Sequence, residues 1–275
     1  MHCPVFHPAL QLQIEAECAL LQLANPPANT FTLDALRALP ALLQWLSAQS
    51  AVDVLIIHGA GGKFFSAGAE LRSFAHEDAA QARAAGAAMA QAFNAAFSAL
   101  AGYRGLSIAA INGYAMGGGL ECALACDVRI VEEHAQLALP EAAVGLLPCA
   151  GGTQLLPWLV GEAWAKRMIL LGERIDAGCA EQIGLAQRCA RGAALQTARE
   201  LAAQARRQSP DARAACKRLI HGARKGWLAG QLAQEQAAFL ALFDGVNQAE
   251  GVQAFLQKRS PQWEYTAQQT RQEAA

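Results

Sequence analysis

Residues 112–121 read NGYAMGGGLE, three successive glycines (Gly117, Gly118, Gly119) running into Leu120 and Glu121. Glycine loses more backbone entropy on folding than any other residue, so three together in an apolar stretch answer a steric need. A second stretch, GKFFSAGAEL (62–71), also sets small residues and glycine where a loop turns toward a helix. The first N–H groups of a helix lack an intrahelical acceptor and carry partial positive charge, which draws anionic oxygen. Two such amides from two loops, converging on one point, form an oxyanion hole, and small side chains let a carbonyl oxygen reach the main chain. Acids complete the set. Glu121 is flanked by Gly119, Leu120, Cys122, Ala123 and Leu124, company in which a carboxyl is buried and needs a partner or a role. Glu141 follows Pro140 in LALPEAAVGLLPCAGGTQ (137–154), with the small-residue loop PCAGG shortly after it. Two carboxyls held in different protonation states can take a proton from one atom and deliver one to another.

Other chemistries fit less well. A phosphate-binding P-loop needs Ser or Thr after Lys63, where Phe64 stands, and GYAMGG (113–118) lacks the middle glycine of a dinucleotide fingerprint because Ala115 replaces it. The closest cysteines, Cys122 and Cys126, have neither the second pair nor the histidines of a zinc site, so no metal is expected and the eight cysteines read as reduced core residues. The six histidines show no ligand spacing, and His58 ends a buried strand.

These groups need elements to hold them. LQLQIE (10–15) and ALLQL (19–23) predict an opening pair of strands, stopped by NPPAN. Apolar residues at 33, 36, 39, 42, 43 and 46 predict an amphipathic helix with Pro40 as a kink. VDVLIIHG (52–59) and LSIAAING (106–113) have the continuous apolar character of strands buried on both faces. Between them, residues 79–101 are Ala-rich and helical in propensity. GGGLECALAC starts a helix and DVRIVEE (127–133) is a strand, giving an α/β order. After residue 160 or so the pattern is helical: Asp176 caps one helix, Ser209 with Pro210 opens another, and 247–259 forms the last.

At 275 residues the chain has ample material for a core, with 53% apolar and 16% charged residues. Lys and Arg number 22 against 23 Asp and Glu, for a net charge of −1, which gives no basic excess for nucleic acid or an anionic membrane. The N-terminus has no secretory pattern and no window reaches the roughly 18 apolar residues of a membrane span, so a cytoplasmic protein is expected.

SAGAEL, NGYAMGGGLECALACD and PEAAVGLLPCAGGTQ, in that order and spacing, resemble the enoyl-CoA hydratase/isomerase (crotonase) family, and DAGCAEQIGL and EGVQAFLQKRSPQW extend the likeness toward the C-terminus. The resemblance implies an α/β fold, a spiral of repeated ββα units (1–200) with a C-terminal helical trimerisation region (201–260), while the polar stretch 261–275 reads as a loose tail. It further implies an acyl-CoA thioester substrate, no cofactor beyond the coenzyme A that the substrate carries, and a homotrimer or dimer of trimers. By position, Ala67 and Gly118 match the two amides that hold the thioester oxygen, and Glu121 and Glu141 match the two acids of the hydratases. In that scheme Glu121 activates water at C3 and Glu141 supplies the proton to C2. Ala28 matches a backbone position lining the adenine pocket, Phe255 and Lys258 match residues reaching coenzyme A from the last helix, and Lys63 is placed to meet its phosphates.

Two departures stand out. Cys149 occupies a usual glycine position whose amide helps hold the water, and a positive φ there would strain it; Glu70 replaces an aspartate. A disturbed water site would favour double-bond isomerisation through Glu141. RNA binding, found in one branch of the family, needs a lysine-rich helix, and residues 79–100 hold one arginine and no lysine. Phe74, Met89 and Phe93, at helical spacing, read as core.

Overall fold

The computed structural model describes residues 3–15, 18–49, 51–75, 78–186, 188–190 and 193–263. Strands β1 (Leu10–Glu15) and β2 (Cys18–Leu23) pair antiparallel, Leu10 opposite Leu23 and Glu15 opposite Cys18, and lead to α1 (Leu33–Ser47). Thr32 caps α1 by accepting the Ala35 N–H. The helix runs through Pro40 as one element. Its buried stripe of Ala35, Leu36, Leu39, Leu42, Leu43 and Leu46 lies on both sides of the proline, so packing holds the helix where propensity alone would break it.

Three ββα units follow: β3 (Val54–Gly59), β4 (Phe64–Ser66) and α2 (Ala79–Ala101); β5 (Leu106–Ile111), β6 (Tyr114–Met116) and α3 (Gly118–Ala125); β7 (Val128–Glu132), β8 (Gln136–Ala138) and α4 (Gly152–Leu170). Each unit sends its first strand to one sheet and its second, short strand to another. The large sheet has the order β1-β2-β3-β5-β7-β10 and the small one β4-β6-β8-β9, where β9 is Ile175–Asp176 and β10 is Arg188–Ala190. From β2 to β10 the large sheet is parallel, and all six residues of β3 are buried, as a strand covered on both faces requires. Alternation sorts its side chains: Leu55 and Ile57 join the main core with α1 and α2, while Val54 and Ile56 face Ala194, Ala198 and Ala202.

Those three alanines belong to α6 (Ala194–Ala205), which follows the short α5 (Ala177–Gln182), capped by Asp176 as expected. Residue 200 therefore lies inside a helix packed on the sheet. The long α7 (Pro210–Ala241), capped by Ser209, reaches α2 and α4, and α8 (Val246–Leu256) packs on the 141–144 turn. The α/β spiral of ββα units with a helical C-terminal part is thus the architecture observed, and of the expected loose tail residues 264–275 lie outside the described chain. No described helix is long and apolar enough to cross a membrane.

Candidate active site

The second strands of the three units bring their following loops to one place. Gly117 sits at φ 53, ψ −127, a conformation closed to L side chains, and a Cβ there would stand 2.9 Å from Oε1 of Glu141. Gly68, at φ +84, lies against the start of α3, where its Cβ would meet the Gly118 nitrogen at 2.8 Å. A Cβ on Gly118 would press the Phe93 ring at 2.9 Å, and one on Gly119 would strike the Ser66 carbonyl. The glycines therefore admit the protein's own carboxyl, ring and carbonyl groups, and through them bring the two loops together.

Gly118 opens α3, where the helix itself supplies no acceptor for its N–H, while Gly117 donates to Ala138 O at 3.0 Å. Ala67 differs from expectation. Its N–H donates to Ala28 O at 3.0 Å, so it is engaged inside the protein. Gly68 then turns the chain, its own N–H going to Ser66 Oγ, and Phe31 bridges the next residue by donating to Gly68 O and accepting from Glu70 N–H. The Ala69 N–H between them has no acceptor among the described residues. Of the Ala67, Gly68 and Ala69 amides, that of Ala69 alone has no acceptor among the described residues.

Glu121, 2% exposed, points its Oε1 at the start of α4, where the N–H groups of Ala150 and Gly152 both donate at 2.8 Å. Burial raises its pKa well above the usual carboxylate range, the charges of Glu141 and Glu235 add to the rise, and the two N–H bonds oppose it. Glu141 opens a short 3₁₀ turn (Glu141–Val144) that ends on Gly145 at φ 70, and Gly251 of α8 packs tightly on the Val144 backbone behind it. Its Oε2 is buried with no hydrogen-bond partner among the described residues. Burial pushes the Glu141 pKa up to about 8; its own backbone N–H opposes this and the Glu235 charge adds to it.

A third acid, Glu235, comes from α7. It is 5% exposed; Oε2 accepts from Gly151 N–H at 2.7 Å, and Oε1 from Thr153 N–H at 3.0 Å and from the Thr153 hydroxyl. Burial raises its pKa, and those three donors oppose the rise. The sequence does carry a signal for it: Leu232 and Phe239, three before and four after, put Glu235 on the apolar stripe of the helix.

Cys149 is buried beside this group. Burial, then the Glu121, Glu141 and Glu235 charges, hold its thiol neutral and well above its usual pKa. The only described non-glycine residues at positive φ are Asn29 and Lys258, so Cys149 carries no backbone strain, and the positive φ of this turn falls on Gly151 at 98°. Asn94 of α2 pins the turn by donating to Cys149 O at 2.8 Å.

The remaining sequence candidates lie apart. Lys63 is exposed, its Nζ 5.6 Å from the Phe64 ring centroid; Phe255 is 58% exposed on α8 and Lys258 is exposed just beyond it. Among the described residues no hydrogen bond, ion pair or ring contact joins Phe255 or Lys258 to Ala28 or Lys63. Phe74 and Phe93 are core residues, as is Met89; Phe74 packs edge-on with Phe239 and Phe243, and Phe93 with Phe31 and Phe97. Two clefts of about 510 and 580 Å³ lie along α7, and neither is lined by Glu121 or Glu141; Ala150 and Gly151 alone of the turn reach one of them.

A spiral of ββα units carrying an open helix-start amide beside paired buried carboxyls is equipped for acid–base chemistry at carbons next to a polarised carbonyl. The chain belongs to the enoyl-CoA hydratase/isomerase family, whose model matches residues 13–266. It is 36% identical over 261 residues to a probable enoyl-CoA hydratase of Bacillus subtilis, covering 93% of this chain and 98% of that one. It is 38% identical over 248 residues to the 2,3-dehydroadipyl-CoA hydratase of Escherichia coli, covering 88% and 93%. Among solved structures it is similar to Pseudomonas aeruginosa DspI, with 52% identity, a TM-score of 0.76, and coverage of 94% of this chain and 97% of that one.

Proposed function

We propose that this protein adds water across the 2,3 double bond of an enoyl-CoA thioester. Attack at C3 moves electrons through C2 onto the thioester oxygen, and backbone N–H groups answer that charge; one donor of this kind is worth on the order of 10² to 10³ in rate. Gly118 supplies one, and Ala69 supplies the other in place of the engaged Ala67. Glu121 takes the proton from water as the oxygen bonds to C3, and Glu141 gives its proton to C2.

The observation that carries this reading is the unequal hydrogen-bond supply of the two acids. Two amides on Oε1 favour the charged form of Glu121 and oppose the burial that raises its pKa, whereas Glu141 has a bare Oε2 and burial pushes its pKa up to about 8. The open sites of the chain suit the rest of the substrate: the Ala28 loop for the adenine, Lys63 for a phosphate, and Phe255 and Lys258 for the far end of coenzyme A. Assembly into a trimer or a dimer of trimers is part of the proposal, supported by exposed Trp158, Leu170 and Leu171 on and beside α4, and sedimentation velocity tests it.

A second reading, isomerisation between 2-enoyl and 3-enoyl thioesters through Glu141, draws on Cys149, a buried thiol that feels the charges of all three carboxyls and takes the place of a smaller glycine. Incubation with each thioester in heavy-oxygen water separates the two. Label at C3 supports hydration; migration of the double bond without label supports isomerisation and overturns hydration. Glu121→Gln and Glu141→Gln should each lower hydration by about 10² to 10⁴ with the fold retained, and unchanged turnover removes that residue from the mechanism.

A further inference from the structure

Four consecutive amides at the start of α4 are divided between two acids that are 114 residues apart in the chain by their numbers, Glu121 and Glu235. Ala150 and Gly152 donate to Glu121; Gly151 and Thr153 donate to Glu235, and the Thr153 hydroxyl joins them. Helix-start amides can donate to any oxygen cap, and a neutral Ser, Thr or Asn would satisfy the need for stability alone. Here the cap is a carboxylate, nearly fully buried, with no ion pair to a described cation and with two other buried carboxyls close by. A third negative group in that setting is electrostatically costly, so a role in the chemistry accounts for its presence better than capping does.

We propose that Glu235 is a positioning residue of the reaction: by gripping the amides of Gly151 and Thr153 it sets the turn so that those of Ala150 and Gly152 converge on Oε1 of Glu121. The 149–153 turn contains Gly151 at φ 98, a residue with little backbone restraint, and apart from Glu121 itself its other side-chain anchor is the Asn94 bond to Cys149 O. Without the grip from α7, the two amides that favour a charged Glu121 lose their aim. The titratable groups facing Glu235 are Glu121 of α3, Glu141 of the 3₁₀ turn and Cys149 of the turn itself, so its charge also favours retention of a proton by Glu141. Docking of the C-terminal half of α7 thereby completes a base contributed by a segment over a hundred residues earlier.

This rests on the hydration reading above, and the test keeps the two apart. Glu235→Gln replaces one acceptor oxygen with an NH₂ that faces a donor, while Thr153→Val removes the hydroxyl and Thr153→Ser keeps it. With a 2-enoyl-CoA as substrate, Glu235→Gln is expected to lower kcat roughly 10- to 100-fold with KM within about threefold, because the loss is of alignment rather than of binding. Thr153→Val should follow it with a smaller loss, and Thr153→Ser should restore the parent value. The alkaline limb of the kcat–pH profile should move to lower pH in Glu235→Gln, since Glu141 loses a negative neighbour; a purely structural role would reduce the folded fraction and leave that limb in place. Parent kcat and an unmoved limb in Glu235→Gln overturn the inference. Should that variant not fold, equal kcat in Thr153→Val and Thr153→Ser overturns it instead. Loss of hydration in Glu121→Gln and Glu141→Gln in the same assay shows that the hydration reading survives, whereas activity in those two strikes that reading itself.

Discussion

Glu141→Gln should make the protein more stable while making it inactive, and the gain should depend on pH. In the unfolded chain the Glu141 carboxyl ionises near 4.5, and in the fold burial keeps its proton on to about 8. Between those values the folded state binds a proton that the unfolded state has lost, so stability falls as pH rises through that window. Below it the group is protonated in both states and contributes no penalty; above about pH 8 the whole penalty is present. At about 1.4 kcal/mol per pH unit, the rise corresponds to roughly 5 kcal/mol as an upper limit. Glu141 is partly exposed and shares its titration with Glu121 and Glu235, so about half of that, ~2–3 kcal/mol, is the expected gain in the glutamine variant above pH 8 or so. Urea denaturation of parent and variant at about pH 5 and about pH 8 measures it. Parallel stability curves for the two proteins would refute a Glu141 that retains its proton through its buried Oε2.

Gly117→Ala should cost about 1–3 kcal/mol of stability from its φ of 53°, and by displacing the Glu141 carboxyl 2.9 Å away should lower kcat on the order of 10²-fold; wild-type kcat in a folded variant contradicts the contact. Lys217→Met should cost roughly 2–3 kcal/mol, since Lys217 meets Asp127 at 2.7 Å with both side chains 14% exposed; a double-mutant cycle with Asp127→Asn that shows no coupling denies the pair a role. Cys149→Gly should cost about 1–3 kcal/mol through loss of a buried side chain and raise hydration relative to isomerisation in the heavy-oxygen assay; a fall in that ratio means the thiol does not crowd the water.

Much of this was legible in the sequence because it depends on period and punctuation. The all-apolar VLIIHG marked a strand covered on both faces, residues 79–101 form α2 at the expected bounds, and Asp176 and Ser209 cap their helices. Glu121 was found through its apolar neighbours, a local signal. The expected open amide fell on Ala67, whose N–H is engaged within the protein, because SAGA is a run of small residues with no local signal for which amide is left open. Only the distant partners decide: Ala28 takes the Ala67 amide and Phe31 passes over that of Ala69. Glu235 was missed for a related cause. Its helical stripe was readable, yet its partners lie 82 and 84 residues away, and no local pattern names them. Pro40 shows the opposite limit, a correct local rule overruled by six buried neighbours.

Each turn of the spiral contributes one piece of the centre: Ser66 to Ala69 from the first unit, Gly117 to Glu121 from the second, Glu141 to Thr153 from the third. The last piece, Glu235, arrives from a helix made long after the others emerge during synthesis. Contacts of such long sequence separation are slow to close. In a refolding experiment helical signal should therefore recover ahead of full catalysis, because the turn that presents the Ala150 and Gly152 amides is gripped only once α7 has docked.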